Sequence, residues 1–171
     1  MDSIRRAGLH DASSIAAIAI EVWLGTYLRH GVGEAFAEYV LTEYSADAMR
    51  ERLRSGSHLF WVSQNRDGID GFLQLTLGSL PPIEGCSPYE IRTLYVQPRH
   101  QGQGKGSGLL RACFRHVAQA GGSGAWLTVN ATNDGALAFY GRHGFIDVGQ
   151  APFTLDGQSY ENRVLAISLP R

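Results

Sequence analysis

The sequence predicts an α/β (α+β) protein: one domain, 1–171, on a mixed, mostly antiparallel sheet of about seven strands, with helices on both faces and a central parallel β-α-β unit. Three observations predict it. Short β-type runs alternate unevenly with amphipathic helical runs along the chain. Asn65-Arg66-Asp67-Gly68 separates two neighbouring β-type runs, a hairpin signature that implies antiparallel pairing. Ile91 to Val96 leads into a glycine-dense loop, a helical run and a second apolar strand, an order that requires a crossover and therefore parallel pairing.

The bulk properties narrow the function. With 171 residues and 44% hydrophobic content the chain can bury a substantial core. Its net charge of −1 gives no general affinity for polyanions, so neither nucleic acid nor a membrane surface is an expected partner. Nothing reads as a signal peptide or as an apolar run of transmembrane length. Cys86 falls in a Pro/Gly-rich loop and Cys113 on an apolar helix face, which fits a reducing compartment and predicts a cytoplasmic protein. The six histidines lack ligand spacing, so no metal is expected.

Ile4 to Leu9 reads as a first strand, and Asp11 as the cap of a helix with Ile15, Ile18, Val22 and Trp23 at helical spacing. Arg29 to Gly33 breaks that helix. Glu34 to Leu41 resumes it, and Ser45 caps a third helical piece running to about Arg54. Trp23 and Tyr27 are candidates for the wall of an acceptor pocket, and the irregular link between the helices leaves room for a lid. His58 to Ser63 and Ile69 to Leu77 are the hairpin strands, and the proline-bearing segment from Gly78 to Pro88 is a loop. After the strand from Glu90 to Val96, a helical run from Leu109 places Leu110, Cys113, Phe114 and Val117 on one face and stops at Gly121-Gly122. Ala125 to Val129 is the buried parallel strand, Asn133 or Asp134 caps a helix through Arg142, and Gly144 ends it. Two last strands, Ile146 to Phe153 and Arg163 to Leu169, flank the turn signal Asp156-Gly157.

The stretch richest in chemistry is Gln101-Gly102-Gln103-Gly104-Lys105-Gly106-Ser107-Gly108. A strand feeding a glycine-rich loop that opens a helix suits an anion. Glycines let a ligand approach the main chain, and the first helical turn offers unpaired N–H groups at the positive end of the dipole. A Walker loop does not fit, because Gly106 follows Lys105 and Arg99 stands five residues before Gly104. A dinucleotide fingerprint does not fit either, with Ser107 three residues after Gly104. The pattern Gln/Arg-x-x-Gly-x-Gly/Ala is met by Gln101, Gly104 and Gly106. Here the sequence resembles the GNAT superfamily of N-acetyltransferases, in which this loop holds the pyrophosphate of acetyl-coenzyme A.

A second motif extends the resemblance. Asn133, Ala136, Phe139 and Tyr140 match Asn-x-x-Ala-x-x-Phe-Tyr, and Gly144-Phe145 follow as in the family. The strand from Glu90 to Val96 and the tail from Phe153 to Leu169 look most like the Pai-type spermidine/spermine N-acetyltransferases. Those proteins tend to carry an acidic residue where this chain has Arg92, and a Trp-Glu pair where it has Asn130-Ala131. The resemblance implies a GNAT-like fold and an acetyl-CoA-dependent N-acetyltransferase. Its acceptor would be the primary amine of a small molecule such as a polyamine, and homodimerisation is compatible with it. It further implies that Leu94, Tyr95 and Val96, the loop residues Gln101 to Ser107, and Asn133, Ala136 and Phe139 contact the cofactor, with the Val96 N–H as oxyanion donor.

Only a neutral amine attacks a thioester, and a lysine-like amine of pKa about 10.4 loses its proton at pH 7 at a cost of about 4–5 kcal/mol. Glu90 is therefore a candidate for holding the ammonium or taking its proton, and it reads equally as a solvated strand-end carboxylate. Tyr140 reads by itself as a core tyrosine, and through the resemblance as the acid that protonates the leaving thiolate. Lys105, the chain's lone lysine, is either a phosphate contact or a solubilising loop charge. Two alternatives stay open: an acetyltransferase acting on protein N-termini or lysines, and a coenzyme A-binding module without turnover.

Overall fold

The computed structural model describes residues 3–28 and 30–170; Arg29, where the expected helix break begins, lies outside the described residues. Seven strands form one sheet in the order β1-β2-β3-β4-β5-β7-β6. They are β1 (Ser3–Arg6), β2 (His58–Gln64), β3 (Ile69–Leu77), β4 (Tyr89–Val96), β5 (Gly124–Asn130), β6 (Ile146–Leu155) and β7 (Gln158–Ser168). The helices are α1 (Ala12–Tyr27), α2 (Glu34–Glu43), α3 (Ala46–Arg54), α4 (Lys105–Gln119) and α5 (Asp134–Arg142). β4 and β5 pair in parallel at Glu90↔Trp126, as the crossover through α4 requires. The chain divides into two compact units, Met1–Leu75 with Thr93–Ala112 and Thr76–Arg92 with Cys113–Arg171.

In the first unit, β1 pairs antiparallel with β2 from Ser3↔Gln64 to Arg6↔Trp61. The first strand stops at Arg6, short of the expected Leu9, because the chain turns through a 3-10 helix at Leu9–Asp11. Asp11 does not cap α1 with its side chain. Its carboxylate instead accepts from Arg5 Nη1 and Nη2 at 2.7 and 2.8 Å and from the Gly8 N–H at 2.8 Å, closing the turn between strand and helix. Ser45 does cap α3, accepting from the Ala48 N–H at 3.1 Å. The apolar face of α1 (Ile15, Ile18, Ala19, Val22, Trp23) shares a buried core with Met49, Phe60, Val62 and Phe72. Asn65 closes the β2–β3 turn, its Oδ1 accepting from the N–H groups of Asp67 and Gly68 at 2.8 and 3.1 Å.

In the second unit, β7 lies between β5 and β6 and is antiparallel to both, from Gly124↔Ser168 to Asn130↔Asn162 and from Ile146↔Ala166 to Leu155↔Gln158. Asp156 and Gly157 have φ of 50° and 71°, so the hairpin turn is of the type whose twist matches its strands, and both strands run longer than expected. The loop after β3 is tied to itself by the Ser79 N–H donating to the Pro88 carbonyl at 3.0 Å.

Candidate active site

The end of β4 leads into the glycine-rich loop. The Gln97 N–H donates to the Asp70 carbonyl of β3 at 2.9 Å, and successive amides of an extended strand face opposite edges, so the Val96 N–H faces away from β3. On that same edge the Val96 carbonyl accepts from Gln101 Nε2 at 3.1 Å. The glutamine of the loop motif therefore fastens the loop to the end of its own strand. Tyr95 points its ring at Phe72 and Tyr44, with centroids 5.9 and 6.4 Å away. Burial raises the pKa of both Tyr95 and Tyr44.

Pro98–His100 forms a short 3-10 turn, and the chain then runs through Gly102 and Gly104, whose φ values of 72° and 78° belong to the left-handed region. A Cβ at either glycine would meet nothing within 4 Å, so the loop presents bare, open backbone. Helix α4 opens at Lys105, four residues before the expected Leu109. The Gly108 N–H makes its bond to the Gly104 carbonyl at 2.9 Å, so the amides of Lys105, Gly106 and Ser107 lie in the first turn, before intrahelical bonding starts. Gly108 differs from Gly104 in being closely packed: an added Cβ would stand 3.2 Å from Ile4 Cγ1, so the Ile4 side chain would have to shift. Gln103 Nε2 donates to the Arg99 carbonyl at 3.3 Å, and Arg99 itself pairs with Glu21 at 3.2 Å. This arrangement suits a pyrophosphate, held by main-chain N–H groups and the helix dipole.

Lys105 does not present its charge at the loop surface. Its ammonium is buried 2.6 Å from Asp70 Oδ2, with side-chain exposures of 5% and 0%. Burial pushes the Asp70 carboxyl up, but the hydrogen bonds from Lys105 and Ser63 and the lysine charge outweigh it and hold the group below the usual carboxylate range. Asp70 was not among the residues singled out from sequence. The signal was partial, since a carboxylate inside the run Ile69-Asp70-Gly71-Phe72-Leu73 needs either water or a polar partner.

Glu90 and α5 belong to the second unit. Glu90 Oε2 accepts from the Ser79 hydroxyl at 2.8 Å, a partner that sequence reasoning also missed. Asn133 caps α5, its Oδ1 accepting from the Ala136 N–H at 3.1 Å. The helix ends in a Schellman motif: Gly144, at φ 86°, donates to the Gly141 carbonyl at 3.1 Å and Phe145 donates to the Tyr140 carbonyl at 3.1 Å. The buried Tyr140 ring packs against Phe145 and Phe139, at 5.3 and 5.2 Å. The Gly144-Phe145 pair is thus the stop that fixes where Tyr140 sits. Phe139 lies against His143, at 4.4 Å.

Trp23 and Tyr27 come together at 5.1 Å, and Phe36 and Tyr39 of α2 complete an aromatic cluster around Trp23 at 5.7 and 5.4 Å. Trp23 is buried and Tyr27 is 38% exposed, so the cluster opens at Tyr27. Among the described residues no group of three or more His, Cys, Asp or Glu is placed to hold a metal ion, and no helix is long and apolar enough to cross a membrane.

The acetyltransferase (GNAT) domain family matches residues 24–160. The N-alpha-acetyltransferase RimI of Mycobacterium tuberculosis is 42% identical over 73 residues, which cover 43% of this chain and 42% of RimI. An uncharacterized protein of Mycobacterium leprae is 32% identical over 111 residues, covering 64% of this chain and 29% of that protein. The chain therefore spans less than half the length of either curated relative. In fold it is similar to the PaiA N-acetyltransferase of Thermoplasma acidophilum, solved in complex with coenzyme A, with a TM-score of 0.79 at 21% identity over 99% of each chain.

Proposed function

The chain belongs to the GNAT acetyltransferase family, and on that premise we propose that it is an acetyl-CoA-dependent N-acetyltransferase acting on the primary amine of a small molecule. The observation that carries the reading is the loop, whose left-handed Gly102 and Gly104 present open backbone at the start of the 15-residue helix α4. The family match over residues 24–160 draws on both units and supports treating them as one acetyltransferase domain. Two free thiols, Cys86 and Cys113, suit a cytoplasmic setting.

Acetyl-CoA, when bound, supplies an acetyl group already activated as a thioester. The loop amides from Gln101 to Ser107 take the pyrophosphate, and the Asn133 side chain adds a coenzyme A contact. The Val96 N–H, aimed away from β3, is the donor for the charge that develops on the acetyl oxygen; a fixed main-chain N–H does this without reorganising. Glu90, oriented by the Ser79 hydroxyl, draws in the acceptor ammonium and takes its proton, through water, so that the neutral amine attacks. Tyr140 holds a proton on its hydroxyl for the departing thiolate. The Schellman stop and the two phenylalanine contacts keep that hydroxyl in one place.

The charges of the first unit bear on the acceptor. In the first unit Asp11, Glu21, Glu43, Asp47 and Asp70 are committed to Arg5, Arg99, Arg52, Arg50 and Lys105. Glu34, Glu38 and Glu51 of the same unit make no ion pair among the described residues, so charge leaves room for a polyamine, and it is the aromatic cluster at Trp23 and Tyr27 that favours an acceptor with an apolar group beside its amine. Similarity to a protein named N-alpha-acetyltransferase supports a second reading, in which the acceptor is a peptide α-amine. Such an amine, with pKa about 7.7–8.0, sheds its proton far more readily.

Thiol release from acetyl-CoA, followed with spermidine, aryl-alkyl monoamines and short peptides as acceptors, tests the proposal. A monoamine should give the highest kcat/KM. Peptides outperforming every small amine would establish the second reading. Binding of coenzyme A with no amine-stimulated release would leave only a coenzyme A-binding module.

A further inference from the structure

We propose that Asp70 is a positioning residue that clamps both ends of the phosphate loop, and that Lys105 serves the loop through this clamp and not by touching phosphate. The inference rests on the reading of the loop as the pyrophosphate site. The geometry behind it is independent of that reading. The Asp70 carbonyl accepts from the Gln97 N–H at 2.9 Å, where β4 gives way to the loop. The Asp70 carboxylate accepts from Lys105 Nζ at 2.6 Å, where the loop gives way to α4. One residue of β3 therefore sets the separation of the two ends, and the intervening residues 98–104 hang between them.

The neighbours of Asp70 make this a fixed point. Asn65 Nδ2 donates to the same carboxylate at 2.9 Å, and Ser63 hydrogen-bonds it as well. At the next residue, Gly71, a Cβ would stand 2.9 Å from the Tyr95 carbonyl, so β3 and β4 approach too closely there for any side chain. Lys105 has strong reason to stay. Leaving would strand a fully buried carboxylate whose Oδ1 already has no hydrogen-bond partner among the described residues. The positive character offered to a ligand then comes from main-chain amides and the α4 dipole, while the lysine holds those amides in place.

The two roles for Lys105 predict opposite effects of Asp70→Asn. Freeing the ammonium would strengthen phosphate binding if the lysine were a phosphate ligand, and would weaken it if the lysine were half of a clamp. The test titrates coenzyme A calorimetrically into wild type, Asp70→Asn, Lys105→Met and the double variant, with hydrogen exchange of residues 97–108 measured on the ligand-free proteins. The clamp predicts that each single variant binds about tenfold more weakly, as expected when about 1.4 kcal/mol of loop ordering is deferred to the binding step. The double variant should be no weaker than the singles, and exchange across 97–108 should speed up in all three. Unchanged or tighter binding in Asp70→Asn beside weaker binding in Lys105→Met overturns the proposal, as does unchanged loop exchange. If Asp70→Asn does not fold, the double variant, which leaves no uncompensated charge, must show both effects. If wild type binds no coenzyme A, the pyrophosphate reading fails while the exchange data still decide the clamp.

Discussion

Replacing Gly104 by alanine or by aspartate separates the loop's backbone from its electrostatics. Gly104 has φ 78°, and a Cβ there meets nothing within 4 Å, so alanine introduces strain without a clash. The left-handed conformation costs a non-glycine residue about 1–2 kcal/mol, of which about 0.4–1 kcal/mol is returned by a stiffer unfolded chain. Gly104→Ala should therefore lose no more than about 1.6 kcal/mol in urea unfolding. Aspartate tolerates this region better and places a negative charge beside the first turn of α4, worth about 0.3–1 kcal/mol, so the ligand-free Gly104→Asp protein should be at least as stable as Gly104→Ala. Affinity should rank the other way. Two like charges 4 Å apart repel by about 4 kcal/mol at an effective dielectric of 20, and screening at an exposed loop cuts this to about 1.4–2.8 kcal/mol, one to two orders of magnitude in Kd. Calorimetry with coenzyme A at low and high salt reads it, the gap between the variants narrowing as salt rises. Equal affinity of the two folded variants would refute the loop as the pyrophosphate site.

Three further outcomes are expected. Glu90→Gln should raise the acceptor KM at neutral pH, with a defect that shrinks as pH rises and no change in coenzyme A affinity; wild-type kinetics across the pH range would make Glu90 a surface carboxylate. Cys113 is fully buried and its thiol is pushed up to about 12 by burial, so iodoacetamide at pH 8 should modify Cys86 in the native protein and Cys113 only after denaturation; native modification of Cys113 would contradict its burial. The Arg5 hydrogen bond holds the Asp11 carboxyl below its ordinary value, so its stabilisation is present above pH about 3.9 and is lost as pH falls through the folded-state pKa. Asp11→Asn should cost about 1–3 kcal/mol at pH 7 and progressively less in that acid window, and a penalty that stays equal from pH 7 into that window in urea titrations would count against the pairing.

Elements whose signals are local were legible in the sequence. Ser45, the Asn65 to Gly68 turn and the Asn133 to Gly144 helix each act within a few residues, and each lies where the pattern placed it. The start of α4 was not. Glycine is a poor helix former, so Gly106 and Gly108 read as loop, yet Gly108 is helical and lies against Ile4, more than a hundred residues earlier in the chain. The fate of Lys105 was hidden for the same reason, because its partner is 35 residues away on β3. Asp11 carries the signature of a helix cap, and only the folded strand shows that Arg5 and the Gly8 N–H claim its carboxylate instead. Tyr140 was placed by its motif. The role of Gly144-Phe145 in fixing it emerges only from the Schellman bonds.

The central claim, direct transfer of acetyl from acetyl-CoA to an amine with Tyr140 as the acid, is tested most directly by thiol release from acetyl-CoA in wild type and Tyr140→Phe, with and without the preferred amine. Wild type should release thiol only when the amine is present. Tyr140→Phe keeps the ring and its contacts with Phe139 and Phe145, so its coenzyme A affinity should hold while kcat falls by no more than about 10² to 10⁴, with a slow residual rate because a thiolate leaves unaided. Thiol release that ignores the amine, or a Tyr140→Phe variant that turns over at the wild-type rate, would contradict it.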